Sequence, residues 1–441
     1  MIVDIDRETL AAIRDPGLRS YASQYVNIYE DFMQRVRESG IEIDPNDYVE
    51  ETAERLERLR QKGAQFRNGG KSIVTNAISP ACVACQQGVG SATFFISLQC
   101  HRTCFYCFNP NQEGYDYFSA HQRNLPEELE QLARSGQRVQ HLALTGGEPL
   151  LHKSETVEFF RCATEKFPEA YTRLYTTGDQ LTPDLAQELA DAGLDEIRFS
   201  IRMQDLEKGH RHTLDRIALA KEFIPSVMVE MPILPGTLDT MQDVLRELDR
   251  LGVSSINLLE LCYPFNQTEV FNQKGYKVKA RPFRVLYNYW YAGGLPIARS
   301  ELECLDLVAF AIDSGLKMGV HYCSLENKHT GQIYQQNFGR PVSATYVFSP
   351  SDYFLKTAKV FGPDIRKARK ALRGNHASHY RLDEDHNCLE LHVNRIGALK
   401  GLNVEVGLSY NVMEAREDGR YLRELKVALV RPEYFDLDHD V

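Results

Sequence analysis

The sequence predicts an α/β protein: a partial, open (βα)6 barrel, preceded by a helical extension and followed by a small α+β domain. Three observations carry this reading. Between about residues 91 and 263, six short apolar runs alternate with amphipathic helical runs. Such alternation means parallel strands joined by right-handed crossovers. Six units fall short of the eight in a closed barrel, so the sheet stays open at one side. Finally, helical runs end at Gly136, Gly193 and Gly252, where glycine caps a helix C-terminus at no steric cost.

In chain order, residues 1–75 read as the helical extension. "LRSYASQYVNIYEDFMQRVRES" and "NDYVEETAERLERLRQKG" place apolar groups three and four residues apart. Asp44-Pro45-Asn46 breaks the pattern between them, and Tyr21, Tyr25 and Tyr29 recur as one packed helix face. The core is expected over 76–325. Its strands are "ATFFISL", "VQHLALTGG", "RLYTTG", "EIRFSIR", "SVMVEMPILPG" and "SINLLELCYP". Residues 263–298 interrupt the rhythm with nine aromatics, including Trp290, and are expected to serve as a lid or to pack an open barrel edge. A helix, "SELECLDLVAFAIDSG", and a strand, "KMGVHYCS", follow. Residues 340–441 alternate "ATYVFS", "CLELHV", "VEVGLSYNVMEA" and "LRELKVALVRP" with one basic helix, "DIRKARKAL".

Composition narrows the classes. A chain of 441 residues, 43% hydrophobic, buries a core large enough that no metal is needed as a staple. With 51 basic against 61 acidic residues, no basic stripe advertises general nucleic-acid binding. The N-terminus lacks an apolar signal region, and no run of 18 apolar residues exists, so membrane spans are not expected and the cytoplasm is. Ten cysteines in that setting are reduced thiols, and clustered ones read as metal ligands before disulfides.

The chemistry concentrates at strand ends, where ligands of such sheets sit. "SLQCHRTCFYCFNP" holds Cys100, Cys104 and Cys107 directly after the first strand. Three thiolates in a compact loop suit one corner of an iron–sulfur cluster, with one iron left without a local cysteine. A structural zinc would take four ligands. After the second strand come Gly146 and Gly147, which let backbone approach a ligand, and Glu148, a carboxylate for a cationic group. Ser200 and Arg202 end the fourth strand, where arginine can grip a carboxylate.

Over Thr93 to Leu261 the sequence resembles the radical S-adenosylmethionine (radical SAM) superfamily. The resemblance rests on the cysteine spacing with Tyr106 before the last cysteine, on Gly146-Gly147-Glu148-Pro149, on "LYTTG" and on "RFSIR". In "LYTTG", Thr177 stands where the family has Asn. The resemblance implies a 4Fe–4S cluster on Cys100, Cys104 and Cys107, with SAM on the open iron. By the same resemblance, Gly146, Gly147 and Glu148 receive the amino group of SAM, the Tyr106 backbone meets adenine, and Ser200 and Arg202 hold ribose and carboxylate. It implies reductive cleavage of SAM to a 5′-deoxyadenosyl radical, with an electron donor of flavodoxin or ferredoxin type. The substrate is unnamed; a peptide or protein is preferred to a small molecule. The competing reading is a non-catalytic iron–sulfur or zinc sensor or scaffold, against which the GGEP and "RFSIR" elements count.

A second metal site is expected from Cys82 and Cys85, a C-x2-C knuckle before the first strand. Cys304 and Cys323 complete four thiolates for a single iron, a zinc or an auxiliary cluster. Asp179 is expected either to orient a substrate or to cap the helix beginning near Thr182.

Overall fold

The computed structural model describes residues 2–203, 211–288, 293–373 and 379–441. The chain divides into two compact units: residues 1–40, 283–288 and 332–441 form one, and residues 41–282 and 289–331 the other. The segment 1–75 is therefore shared between the units. Trp290 and Tyr291, on which the lid expectation leans, lie outside the described residues.

The first unit is built on a sheet in the order β1 (Ile2–Asp4), β18 (Gly419–Val430), β17 (Val406–Arg416), β14 (Leu355–Phe361), β16 (Cys388–Leu391) and β15 (Tyr380–Asp383), with β13 (Val347–Phe348) also pairing β14. Every pairing is antiparallel. The helix Pro16–Glu38 begins on Asp15, whose side chain accepts from the Leu18 N–H at 3.0 Å. Its buried face, with Leu18, Tyr21 and Val26, packs on Phe361, Val427 and Leu429. The tyrosine stripe is a packing surface: Tyr21 meets the Phe361 ring at 5.0 Å and its hydroxyl accepts from Lys359 at 2.6 Å.

The second unit holds the barrel sheet. Its strands are β2 (Gln65–Arg67), β3 (Ser72–Thr75), β4 (Ser91–Phe95), β5 (His141–Thr145), β6 (Tyr171–Thr176), β7 (Glu196–Phe199), β8 (Ser226–Ile233), β9 (Ser255–Glu260) and β12 (Gly319–Cys323); β10 (Cys262–Tyr263) and β11 (Leu295–Pro296) form a separate pair. The order is β2-β3-β12-β9-β8-β7-β6-β5-β4. Strands β4 to β9 are the six the sequence predicts, and each pairs in parallel with the next. β12 adds a seventh parallel strand beside β9, and β3 and β2 extend the edge in antiparallel fashion. The sheet is open, with β2 and β4 at its edges.

Helix Val49–Gln61 belongs to this unit, pinned to the helix Ser300–Asp313 by Arg55 and Arg58 on Asp306. Phe271 and Tyr276 of the aromatic insertion brace the cysteine loop. Phe105 packs edge-on against Phe271 at 5.2 Å and lies beside Tyr276 at 6.2 Å. Among the described residues, no helix is long and apolar enough to cross a membrane.

Candidate functional site

Because β4 to β9 run parallel, their carboxyl ends gather at one end of the sheet. The cysteine loop leaves β4 there and is held by the turn after β5. Gly147 N–H donates to the Ser97 carbonyl at 3.1 Å, and Glu148 N–H to the Gln99 carbonyl at 2.8 Å. This backbone pairing is why the position requires glycine. A Cβ on Gly147 would stand 1.9 Å from the Gln99 carbonyl oxygen. Gly146 combines φ of 125° with a Cβ position 2.6 Å from the Ser97 oxygen. The Asn109 side chain closes the arrangement by donating to the Gly146 carbonyl at 2.7 Å.

Within the loop, Cys107 N–H donates to the Cys104 carbonyl at 3.0 Å, and the Arg102 N–H points at Cys100 Sγ at 3.4 Å. Burial pushes all three thiols above the ordinary cysteine value. They also raise one another, which places them within electrostatic reach: Cys104 acts on Cys100, Cys107 on Cys104, and Cys100 on Cys107. The Arg202 charge works the other way on Cys104. Three thiols that act on one another, N–H groups aimed at sulfur and nearby cations form a donor set whose chemistry fits an iron–sulfur cluster with one iron unclaimed.

Glu148 is 1% exposed, and its carboxylate is largely engaged. One oxygen accepts from the Thr176 hydroxyl at 2.5 Å and the Leu150 N–H at 3.1 Å; the other accepts from the Thr177 N–H at 2.7 Å. A carboxylate has about four acceptor positions, so one remains for a ligand ammonium. Glu148 thus also ties the turn after β5 to the end of β6. Removing the Thr176 hydroxyl should cost about 1.5–3 kcal/mol, the range for a hydrogen bond to a charged group. Thr176→Val should lower the urea midpoint with the slope unchanged; an unaltered midpoint would deny Glu148 this tie.

The other predicted residues reach the same end. Ser200 is exposed, and its N–H donates to the Thr176 carbonyl at 3.1 Å. The Arg202 charge and the Tyr106 side chain both favour the thiolate form of Cys104, against the burial that raises it. Asp179 does not cap the next helix; Thr182 does, accepting from Leu185 N–H at 3.3 Å. Asp179 instead accepts from Arg102 Nε at 2.5 Å and pairs with His101 at 2.5 Å, clamping the stretch between Cys100 and Cys104. Burial alone would raise its carboxyl, but hydrogen bonds from Arg102 and His101 bring it below the ordinary value.

Below the cysteine loop, side chains that sequence reasoning passed over line the inner face of the sheet. Arg198 on β7 is 3% exposed and bonds Glu196 at 2.6 Å, Glu230 at 2.9 Å, the Tyr175 hydroxyl at 3.1 Å and Ser79 at 3.0 Å. Glu230 accepts from Asn257 at 2.6 Å. Asn257 Oδ1 accepts a hydrogen bond from His321 Nδ1–H at 2.8 Å, leaving His321 Nε2 to accept from Ser72 at 2.8 Å. Burial lowers His321 to about 3, so its ring is neutral. Lys328 acts electrostatically on Glu230 and Cys323 below and on Cys262 above. Cys262 in turn feels Cys107. The signal available in sequence was charged residues set within apolar strands, two apart in "EIRF" and single in "VMVEMPI".

The four cysteines of the expected second site are not all brought together. Cys82 and Cys85 act on Cys323. Cys304 lies apart, fully buried among Glu260, Glu301 and Lys279. Strand alternation sets the face of Cys323, while Cys304 lies on the helix Ser300–Asp313. His321 and Cys323 share the inner face of β12, whereas Tyr322 points to the other face and bonds Glu301, on the side where Cys304 sits.

The Radical SAM superfamily pattern matches residues 94–248. A Methanocaldococcus jannaschii protein named "Putative glycyl-radical enzyme activating enzyme" is 25% identical over 206 residues, 45% of this chain and 54% of that protein. A "Probable GTP 3',8-cyclase" of Thermococcus kodakarensis is 26% identical over 197 residues, 42% of this chain and 61% of that one. Among solved structures, Streptococcus suis SuiB bound to precursor peptide SuiA aligns with a TM-score of 0.38 and 11% identity, over 72% of this chain and 67% of that one. This chain spans little more than half the length of these two curated relatives.

Proposed function

For this chain, a member of the radical SAM superfamily through residues 94–248, we propose an enzyme that uses a 4Fe–4S cluster on Cys100, Cys104 and Cys107 to cleave S-adenosylmethionine reductively. The observation that carries the reading is the cysteine loop hydrogen-bonded along Ser97 and Gln99 to the Gly146-Gly147-Glu148 turn. When bound, the cluster and SAM supply one-electron cleavage to methionine and a 5′-deoxyadenosyl radical, which takes a hydrogen atom from substrate.

The chain's own residues do the rest. Cys100, Cys104 and Cys107 give up their protons on taking up metal, so cluster assembly is favoured as pH rises. The last acceptor position of Glu148 takes the ammonium of SAM, and Gly146 and Gly147 let the turn that carries Glu148 pack against residues 97–99. Arg202 neutralises the SAM carboxylate beside Cys104, Ser200 meets the ribose, and the Tyr106 backbone meets adenine. Asp179 holds His101 and Arg102 so that the loop keeps one shape through each cycle. Glu230 and Lys328 present opposite charges to whatever enters the sheet's inner face. The proposed substrate is a peptide or protein, in keeping with a second compact unit that SAM cleavage itself does not need. The electron donor is of flavodoxin or ferredoxin type.

Anaerobically reconstituted protein given SAM and dithionite should release 5′-deoxyadenosine. Cys104→Ala should reduce that release to the no-enzyme background while leaving the fold intact. Wild-type protein that holds its iron yet releases none, with several donors tried, would overturn the assignment.

A further inference from the structure

We propose that Cys82, Cys85 and Cys323 hold a second iron–sulfur cluster inside the barrel sheet, with one of its irons left open to the lumen. The inference rests on thiols that the proposed SAM cleavage does not use. Cys82 and Cys85 are one helical turn apart on Pro80–Cys85, so both present to one side. Cys82 Sγ lies 3.2 Å from Asn257 Nδ2, on the inner face of β9. β12 pairs with β9 so that His321 stands beside Asn257. Cys323 is two residues further along the same face, one pleat or about 6.8 Å toward the carboxyl end. The backbone therefore delivers the three sulfurs to one region of the lumen wall.

Several neighbours there suit anionic sulfur, although the Glu230 charge opposes it at Cys85. Cys82 Sγ accepts from Arg198 Nη2 at 3.4 Å as well as from Asn257, and Cys323 Sγ accepts from Asn327 Nδ2 at 3.3 Å. Asn327 is itself fixed by Asn68 at 2.7 Å. Arg198 and Arg173 act on Cys85, and Lys328 on Cys323. N–H donors and cations around thiolates are how a protein stabilises and tunes a cluster.

Ligand number bears on the metal: three thiolates fall one short of the four a structural zinc takes, whereas a cluster with one open iron uses three. The fourth ligand is not Cys304, which lies on the other face of the sheet. One iron of this second cluster accordingly lacks a cysteine. Cys85 is solvent-exposed and the Glu230 side chain is 22% exposed, so the lumen reaches both. A substrate nitrogen, oxygen or sulfur donor would occupy that iron.

The test uses the full chain, reconstituted anaerobically with ferrous iron and sulfide. Cys100→Ala/Cys104→Ala/Cys107→Ala should still take up about half the wild-type iron and sulfide and keep a thiolate-to-iron absorption band. Adding Cys82→Ala, Cys85→Ala and Cys323→Ala should remove both. The reciprocal variant, with only Cys82, Cys85 and Cys323 replaced, should also fall to about half the wild-type iron, while Cys304→Ala should match wild type. A folded loop-cysteine variant without iron, a reciprocal variant with full iron, or zinc bound without sulfide would each overturn the proposal. These readings are independent of 5′-deoxyadenosine release, so failure of the second cluster and failure of SAM cleavage are told apart.

Discussion

Gly147→Ala should abolish cluster assembly and destabilise the barrel unit by about 3 kcal/mol, the upper part of the usual range for overpacking. The added methyl group would sit 1.9 Å from the Gln99 carbonyl oxygen and 2.6 Å from the Leu98 carbonyl carbon. Both obstacles are backbone, so no rotamer change relieves them. Relief requires the turn after β5 to pull away from residues 97–99, breaking the 3.1 Å and 2.8 Å hydrogen bonds that register it against the cysteine loop. The loop would then lose the support that fixes Cys100. Two measurements separate the effects: chemical denaturation of the metal-free chain reports the packing cost, and iron retained after reconstitution reports the loop. Gly236→Ala offers the contrast. Its φ is 88°, but nothing lies within 4 Å of its Cβ position, so it should cost stability through backbone strain and leave iron content unchanged. Normal iron and stability in Gly147→Ala would refute the role assigned to the turn.

What the sequence disclosed and what it concealed follow from the range of the forces involved. The six parallel strands and their helices were legible because each satisfies a local period and ends at a local signal. β2 and β3 were not, since "QFR" and "SIVT" flank a short turn and gain strand identity only by pairing, β3 with β12 and β2 with β3. β14 was hidden for another reason. "LKTAKVF" is buried throughout yet carries Lys356 and Lys359, so it does not read as a central strand. Those charges are tolerated because Asp352 meets Lys356 at 2.8 Å and Glu424 meets Lys359 at 2.5 Å, the latter a partner 65 residues away. The cysteines show the same limit. Close spacing identified Cys100, Cys104 and Cys107 as one group. Cys323 is brought toward the knuckle only by the fold, whereas Cys304, on the helix Ser300–Asp313, lies on the Tyr322 side of the sheet.

The lumen carries the second large effect. Arg198→Met should destabilise the protein by about 3–5 kcal/mol at neutral pH, because removing one partner of a buried ion pair strands the other. Arg198 is the shared cation for Glu196 and Glu230, and its own side chain is 3% exposed. The pH dependence identifies the mechanism. Burial pushes the Glu230 carboxyl up, but the Arg198 charge and the Asn257 amide more than offset this and hold it below the ordinary range. A carboxyl depressed in the fold contributes stability above its unfolded pKa and loses it as pH falls through the folded value. This pair therefore weakens the wild-type protein only in acid. Without the cation, burial prevails and the folded value rises above the unfolded one. Protonation then favours the fold, so the deficit of Arg198→Met should shrink as pH is lowered from about 7 toward about 5. Glu230→Gln in the same background should recover part of the loss at pH 7, since it removes the stranded charge while keeping the shape. A loss of packing alone would give a deficit that is constant with pH and indifferent to Glu230→Gln. That outcome would mean Arg198 fills space in the lumen without setting its charge, and the electrostatic design inferred for the inner face would fall with it.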